Sequence, residues 1–207
     1  MRILCYGDSN TWGYCPVTGT RYRKEERWPG RLAELTGDEI IEEGLNGRTT
    51  VFSDWLEPYR SGIRYAAPCI MSHLPLDMII VMLGTNDAKR RYHVTASEIA
   101  RGLMEVILQM QRFCVQKGAD PEIVIVSPPR SEIARGFWAG DFDADADNTI
   151  QQLETEYEQL AEQLGCSFLR ASDYVDDIGE DGLHMTVQGH RKLSDGIAAF
   201  LQQKQKK

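Results

Sequence analysis

Residues 2–13 read RILCYGDSNTWG, from Arg2 to Gly13. Ile3, Leu4, Cys5 and Tyr6 form an apolar run that is too short for a helix and is closed at once by a glycine, which suits a buried strand. Gly7-Asp8-Ser9-Asn10 then makes a tight turn that places Ser9 at the start of a helix. A strand running through a glycine turn into a helix is the unit from which parallel sheets are built. In an open α/β sheet, ligands sit outside the carboxyl ends of the strands, so the residues just after each strand are where chemistry is to be sought.

Working outward, strands are expected at Arg2–Tyr6, Glu39–Glu43, Met78–Leu83 and Ile123–Ser127, with a short one near Ser167–Leu169. Between them Trp28–Leu35, Ala96–Gln116, Thr149–Leu164 and Val187–Gln202 carry apolar residues at helical spacing. The alternation predicts an α/β fold of three layers, α/β/α, with a five-stranded parallel sheet. At 207 residues, one domain over 1–207 is the expectation. Thr18–Glu26, rich in charge, and Gly136–Asp147, with its aromatic residues and four aspartates, read as surface loops.

Acidic residues outnumber basic ones, 31 to 23, for a formal net charge of −8, which argues against a nucleic-acid partner because phosphate binding needs clustered Lys and Arg. No apolar run approaches a membrane span. The five cysteines, Cys5, Cys15, Cys69, Cys114 and Cys166, include no C-x-x-C pair and read as reduced thiols. The opening residues reach a glycine turn at once and leave no room for the apolar segment of a signal peptide, so a cytoplasmic setting is expected.

Three further segments bear on chemistry. Glu42-Glu43-Gly44-Leu45-Asn46-Gly47-Arg48-Thr49-Thr50 follows the second strand, with two glycines that let the backbone approach a ligand or take positive φ. Gly84-Thr85-Asn86-Asp87 follows the third and offers an uncharged amide donor. Asp181-Gly182-Leu183-His184 stands before the last helix, where a carboxylate three residues ahead of an imidazole can accept from one ring nitrogen and leave the other free to take a proton from serine. Ser9, the two glycines and Asn86 each have a plain alternative: a helix cap, a flexible turn and a capping residue. His73, His93 and His190 lack such a partner and read as structural or solvated.

Together these four blocks resemble those of the SGNH hydrolases, or GDSL-type esterases, with a flavodoxin-like sheet. Trp12-Gly13, Arg48-Thr49-Thr50 and His73-Leu74-Pro75-Leu76-Asp77 look closest to the arylesterase and acyltransferase branch. The resemblance implies Ser9 as nucleophile, Asp181 and His184 as the rest of a triad, and Ser9, Gly47 and Asn86 as oxyanion-hole donors, with Gly44 the alternative glycine. Trp12 is similar to an aromatic bordering the acyl pocket, and a core tryptophan is the other reading. The implied activity is hydrolysis of small aryl or short-chain alkyl esters through an acyl-enzyme, with transfer to alcohols or deacetylation of carbohydrates as alternatives, and without metal or organic cofactor. Asn10 stands where the family name expects leucine, a position expected to tune packing or the pocket wall.

A flavodoxin-like sheet can hold a nucleotide or flavin, but Asp8 inside the turn would repel phosphate, and neither G-x-G-x-x-G nor G-x-x-x-x-G-K-[ST] occurs. Asp143, Asp145, Asp147 and Glu154 fall at calcium-loop spacing, yet Asn148 stands where the loop needs glycine, so the aspartates are expected to cap and charge-match the helix near Thr149. Phe52, Trp55, Tyr59 and Tyr65 interleave with Arg60 and Arg64, which fits either a homo-oligomer interface or a loop packed over its own domain.

Overall fold

The computed structural model describes residues 1–133 and 136–205; residues 134–135 and 206–207 of the expected 1–207 domain lie outside the described residues. Five parallel strands, β1 (Arg2–Gly7), β2 (Glu39–Gly44), β3 (Met78–Met82), β4 (Glu122–Ser127) and β5 (Ser167–Arg170), form one sheet in the order β2-β1-β3-β4-β5. The helices are α1 (Ser9–Trp12), α2 (Trp28–Thr36), α3 (Gly62–His73), α4 (Ala96–Gln116), α5 (Ala146–Leu164) and α6 (Val187–Gln205).

The apolar runs alternate between two cores, as the period of two in a strand requires. Leu4, Tyr6, Ile79, Val81, Ile123 and Ile125 face one side, against Cys69 and Ile70 of α3, Leu103 and Ile107 of α4, and Leu153 and Tyr157 of α5. Ile3, Cys5, Met78, Ile80, Val124 and Val126 face the other, against Trp28 and Leu32 of α2 and Leu193 and Ile197 of α6. This is the expected three-layer α/β/α arrangement. Both faces are covered, so the strands read as continuous apolar runs.

The strand order reverses beside β1, which pairs with β2 from Arg2↔Glu39 to Gly7↔Gly44 and with β3 from Ile3↔Met78 to Gly7↔Met82. A crevice opens at such a switch point.

The structure departs from the sequence expectation in three places. Helix α3 is not among the helices delimited from the sequence, because Pro68 lies inside it and its arginines and tyrosines blur the apolar period. Helix α5 begins at Ala146, three residues early. Asp147 therefore lies in its first turn, accepting from Ser131 Oγ at 2.6 Å and Ile133 N–H at 3.0 Å, while Arg130 and Ser172 hold Glu154. The helix separates the would-be calcium ligands, and Asp145 at the N-cap makes no side-chain capping bond. Finally, Phe52 packs with Tyr92, their ring centroids 5.6 Å apart, whereas Trp55 and Tyr59 are 99% and 92% exposed and do not pack over their own domain. Among the described residues no helix is long and apolar enough to cross a membrane.

Candidate active site

A Cβ on Gly7 would lie 2.0 Å from Thr11 Oγ1 and 2.8 Å from Met82 O, so glycine is what lets the chain turn tightly out of β1 beside β3. Asp8 caps α1, its Oδ1 accepting from Asn10 N–H at 2.9 Å. The cap occupies the amide that a phosphate in this turn would need.

Ser9 opens α1, and its Oγ stands 2.8 Å from His184 Nε2. His184 Nδ1 is 2.6 Å from Asp181 Oδ2. Burial acts to raise the Asp181 carboxyl, but the hydrogen bonds and charge of His184 and the amide of Leu183 outweigh it and bring the group down to about 2. An ionised carboxylate only accepts, so Nδ1 carries a proton toward Asp181 and Nε2 is left to accept from the serine hydroxyl. Asp181 Oδ1 accepts from the N–H groups of Leu183 and His184 at 3.0 Å each, and Trp138 Nε1–H donates to Oδ2 at 3.2 Å. The Tyr14 ring lies 4.3 Å from the imidazole, centroid to centroid.

Ser9, Gly47, Asn86 and His184 line one cavity of about 80 Å³, with Tyr14, Trp138, Phe142 and Leu183 as its apolar wall and Asn46, Glu57 and Lys89 as its polar one. Gly47 takes φ +76°, and a Cβ there would lie 3.0 Å from Glu57 Oε1. Gly44 packs instead against the Trp12 backbone, so Gly47 is the glycine of this cavity. Asn86 is buried, and its Nδ2 donates to Arg48 O at 3.2 Å and, at 3.5 Å, to Asp8 Oδ2. Lys89 Nζ, also buried, lies 2.5 Å from Glu57 Oε2.

Two buried carboxyls lie under the site. Burial pushes Asp8 up to about 6, against the Asn10 amide and the charges of His184 and Arg48. It pushes Asp87 up to about 7, although Thr50 Oγ at 2.5 Å and Thr50 N–H at 2.9 Å donate to it.

Of the two readings of Trp12, the place beside the cavity is not the one seen. Trp12 does not line the cavity, because its backbone abuts Gly44 and Arg21 lies over its ring at 5.4 Å. Tyr14, two residues on, has the aromatic place. Asn10 is buried and lines no wall of the cavity, which leaves packing as the expectation that fits that position. Sequence reading also missed Trp138, Glu57 and Lys89. The aromatic content of 136–140 was a signal for Trp138, whereas nothing local marks a pair 32 residues apart. The other histidines lie elsewhere. Burial lowers His190 to about 3, and its Nδ1 accepts from Trp28 N–H at 3.3 Å.

Potential metal ligands of Glu43, Cys69 and His73 lie within 4.8 Å of one another, outside this cavity. Two of the three are already hydrogen-bonded: Glu43 accepts from His73 Nε2 at 2.8 Å, and also from the Tyr65 hydroxyl at 3.4 Å. Burial pushes the Cys69 thiol up to about 12.

The chain superposes with a TM-score of 0.91 on a carbohydrate acetylesterase from Sinorhizobium meliloti, 34% identical over 98% of this chain and 99% of that one. It superposes equally, at 0.91, on the inhibitor-bound aryl esterase of M. smegmatis, 33% identical over 98% of each chain. The acetylxylan esterase of Xylanibacter ruminicola is 25% identical over an alignment of 219 positions that covers 97% of this chain and 43% of that protein. The chain thus spans less than half the length of that curated relative. With residues 5–192 matching it, the chain belongs to the GDSL-like lipase/acylhydrolase family.

Proposed function

We propose that the protein hydrolyses carboxylic esters with a small acyl group, through an acyl-enzyme on Ser9. The observation that carries this reading is the continuous relay of Asp181, His184 and Ser9, with contacts of 2.6 and 2.8 Å. His184 Nε2 takes the Ser9 proton as Oγ attacks the ester carbonyl, and Asp181 steadies the imidazolium. The tetrahedral oxyanion is held by the amides of Ser9 and Gly47 and by Asn86 Nδ2–H, whose long contact to Asp8 is the one to be redirected. The imidazolium then protonates the leaving alcohol, and water or a second alcohol releases the acyl group. A cavity of about 80 Å³ supports an acyl group of acetyl size.

The test is labelling with a serine-directed fluorophosphonate. Wild type is expected to label on Ser9, and Ser9→Ala to lose both labelling and turnover of an aryl acetate. Labelling elsewhere, or full activity in the variant, would overturn the reading.

A second reading, deacetylation of carbohydrates, is favoured by the polar wall of Asn46, Glu57 and Lys89, which can bond hydroxyl groups. Likeness to the carbohydrate acetylesterase supports the same reading. Side-by-side turnover of an aryl acetate and an acetylated sugar separates the two.

A further inference from the structure

Asn10 spans the two halves of the site. Its Oδ1 accepts from Met185 N–H at 2.9 Å, and its Nδ2 donates to Leu183 O at 3.3 Å. These are the peptide groups on either side of His184. The amide orientation follows from the partners, since one is a backbone donor and the other a backbone acceptor. Asn10 is buried, and it follows Ser9 directly on α1.

Other hydrogen bonds of this loop run within it or to the segment 132–138, where Glu132 N–H donates to Gly182 O at 2.8 Å and Trp138 Nε1–H to Asp181 Oδ2 at 3.2 Å. Asp181 Oδ1 takes the N–H groups of Leu183 and His184, and Gly179 N–H donates to His184 O at 2.8 Å. Those bonds shape the loop without fixing where it sits relative to α1, whose residues lie about 175 positions away in the chain. The Asn10 amide supplies that link. It is short and rigid, and it grips both neighbours of the imidazole.

We infer that Asn10 is a positioning residue that sets the distance between Ser9 Oγ and His184 Nε2 by holding Leu183 and Met185 against the nucleophile's own turn. A leucine, which the family name places here, can fill the volume but has neither donor nor acceptor. This inference rests on the reading of Ser9 and His184 as nucleophile and base. Proton transfer between groups brought together from opposite ends of a chain is sensitive to sub-ångström placement, which is why the amide acts on rate rather than on substrate binding.

Asn10→Leu and Asn10→Ala are to be compared with wild type in kcat and KM for an aryl acetate, in the rate of fluorophosphonate labelling, and in Tm. The expected result is a fall of about tenfold to a hundredfold in both kcat and labelling rate, with KM within about threefold. Tm is expected to fall as well, since Leu183 O and Met185 N–H lose their partners. A loss confined to Tm, or one confined to KM, overturns the inference. So does failure of both variants to fold, which would make Asn10 a folding element. Ser9→Ala, run alongside, separates the two levels: if it retains activity, the nucleophile reading falls, and if it is dead while both Asn10 variants keep wild-type kcat, only the positioning role falls.

Discussion

Trp138 Nε1–H donates at 3.2 Å to Asp181 Oδ2, the same oxygen that accepts from His184 Nδ1 at 2.6 Å. The indole draws on the negative charge that the imidazolium would use, and it restricts how the carboxylate can turn. Asp8, Tyr22 and His190 are among the titratable groups that interact electrostatically with this pair.

Trp138→Phe keeps the ring and removes the donor. The carboxylate then stabilises the imidazolium more, so the acid limb of kcat/KM is expected to move to higher pH, with a plateau loss of less than about tenfold. Asp181→Asn should do the opposite to the limb and lower the plateau by about 10²–10⁴. Full pH–rate profiles of both variants check this, and a shift of both limbs in one direction would remove Trp138 from the relay.

Asn86→Ala is expected to lower kcat by about 10²–10³ with little change in KM, because the donor matters chiefly once the oxyanion forms. Steady-state kinetics on one aryl acetate suffice. A variant impaired in KM alone would make Asn86 a substrate-binding residue.

A cavity of about 80 Å³ is expected to limit the acyl length. Among nitrophenyl esters, kcat/KM is expected to fall by about tenfold or more from acetate to hexanoate, the scale of overfilling a packed site. Phe142, buried in the wall, should relax this preference when changed to alanine. A flat profile in wild type would place the acyl chain outside the cavity.

Asp8 and Asp87 ionise in the fold near about 6 and about 7, against an ordinary value of 3.8. A raised carboxyl means that the folded chain binds more protons than the unfolded one between those limits. Stability from these groups is therefore greatest at the acid end and lost as pH rises from about 4 to about 7. Denaturant titrations at pH 5 and pH 8 should show a larger loss in wild type than in Asp87→Asn, whose amide carries no charge to desolvate. Equal losses would mean that Asp87 ionises without penalty.

Much of the fold was legible in local patterns. The runs at Ile3–Tyr6 and Met78–Leu83 cannot lie anywhere but inside a sheet covered on both faces, and their alternate residues do part between two cores. Asp181 and His184 are three residues apart, a separation within which the backbone itself brings carboxylate to imidazole. Gly44 stands in the sequence as the alternative to Gly47, and the structure separates them, since Gly44 still belongs to β2 while Gly47 lines the cavity.

What depended on tertiary structure has one physical character: contacts between residues far apart in the chain, whose partners carry no local mark. Trp12 and Tyr14 are equivalent aromatics in sequence, and only the packing of α1 on β2 turns the first away from the cavity and leaves the second over His184. Asn10 reads as a departure from a motif until Leu183 and Met185 arrive from the other end of the chain to take both ends of its amide. The sequence by itself determined the sheet, its faces and the four blocks at its edge, because strand period and short-range geometry are local. The tertiary structure decided which side chains meet across that edge, because a hydrogen bond depends on ångström placement that no spacing along the chain encodes.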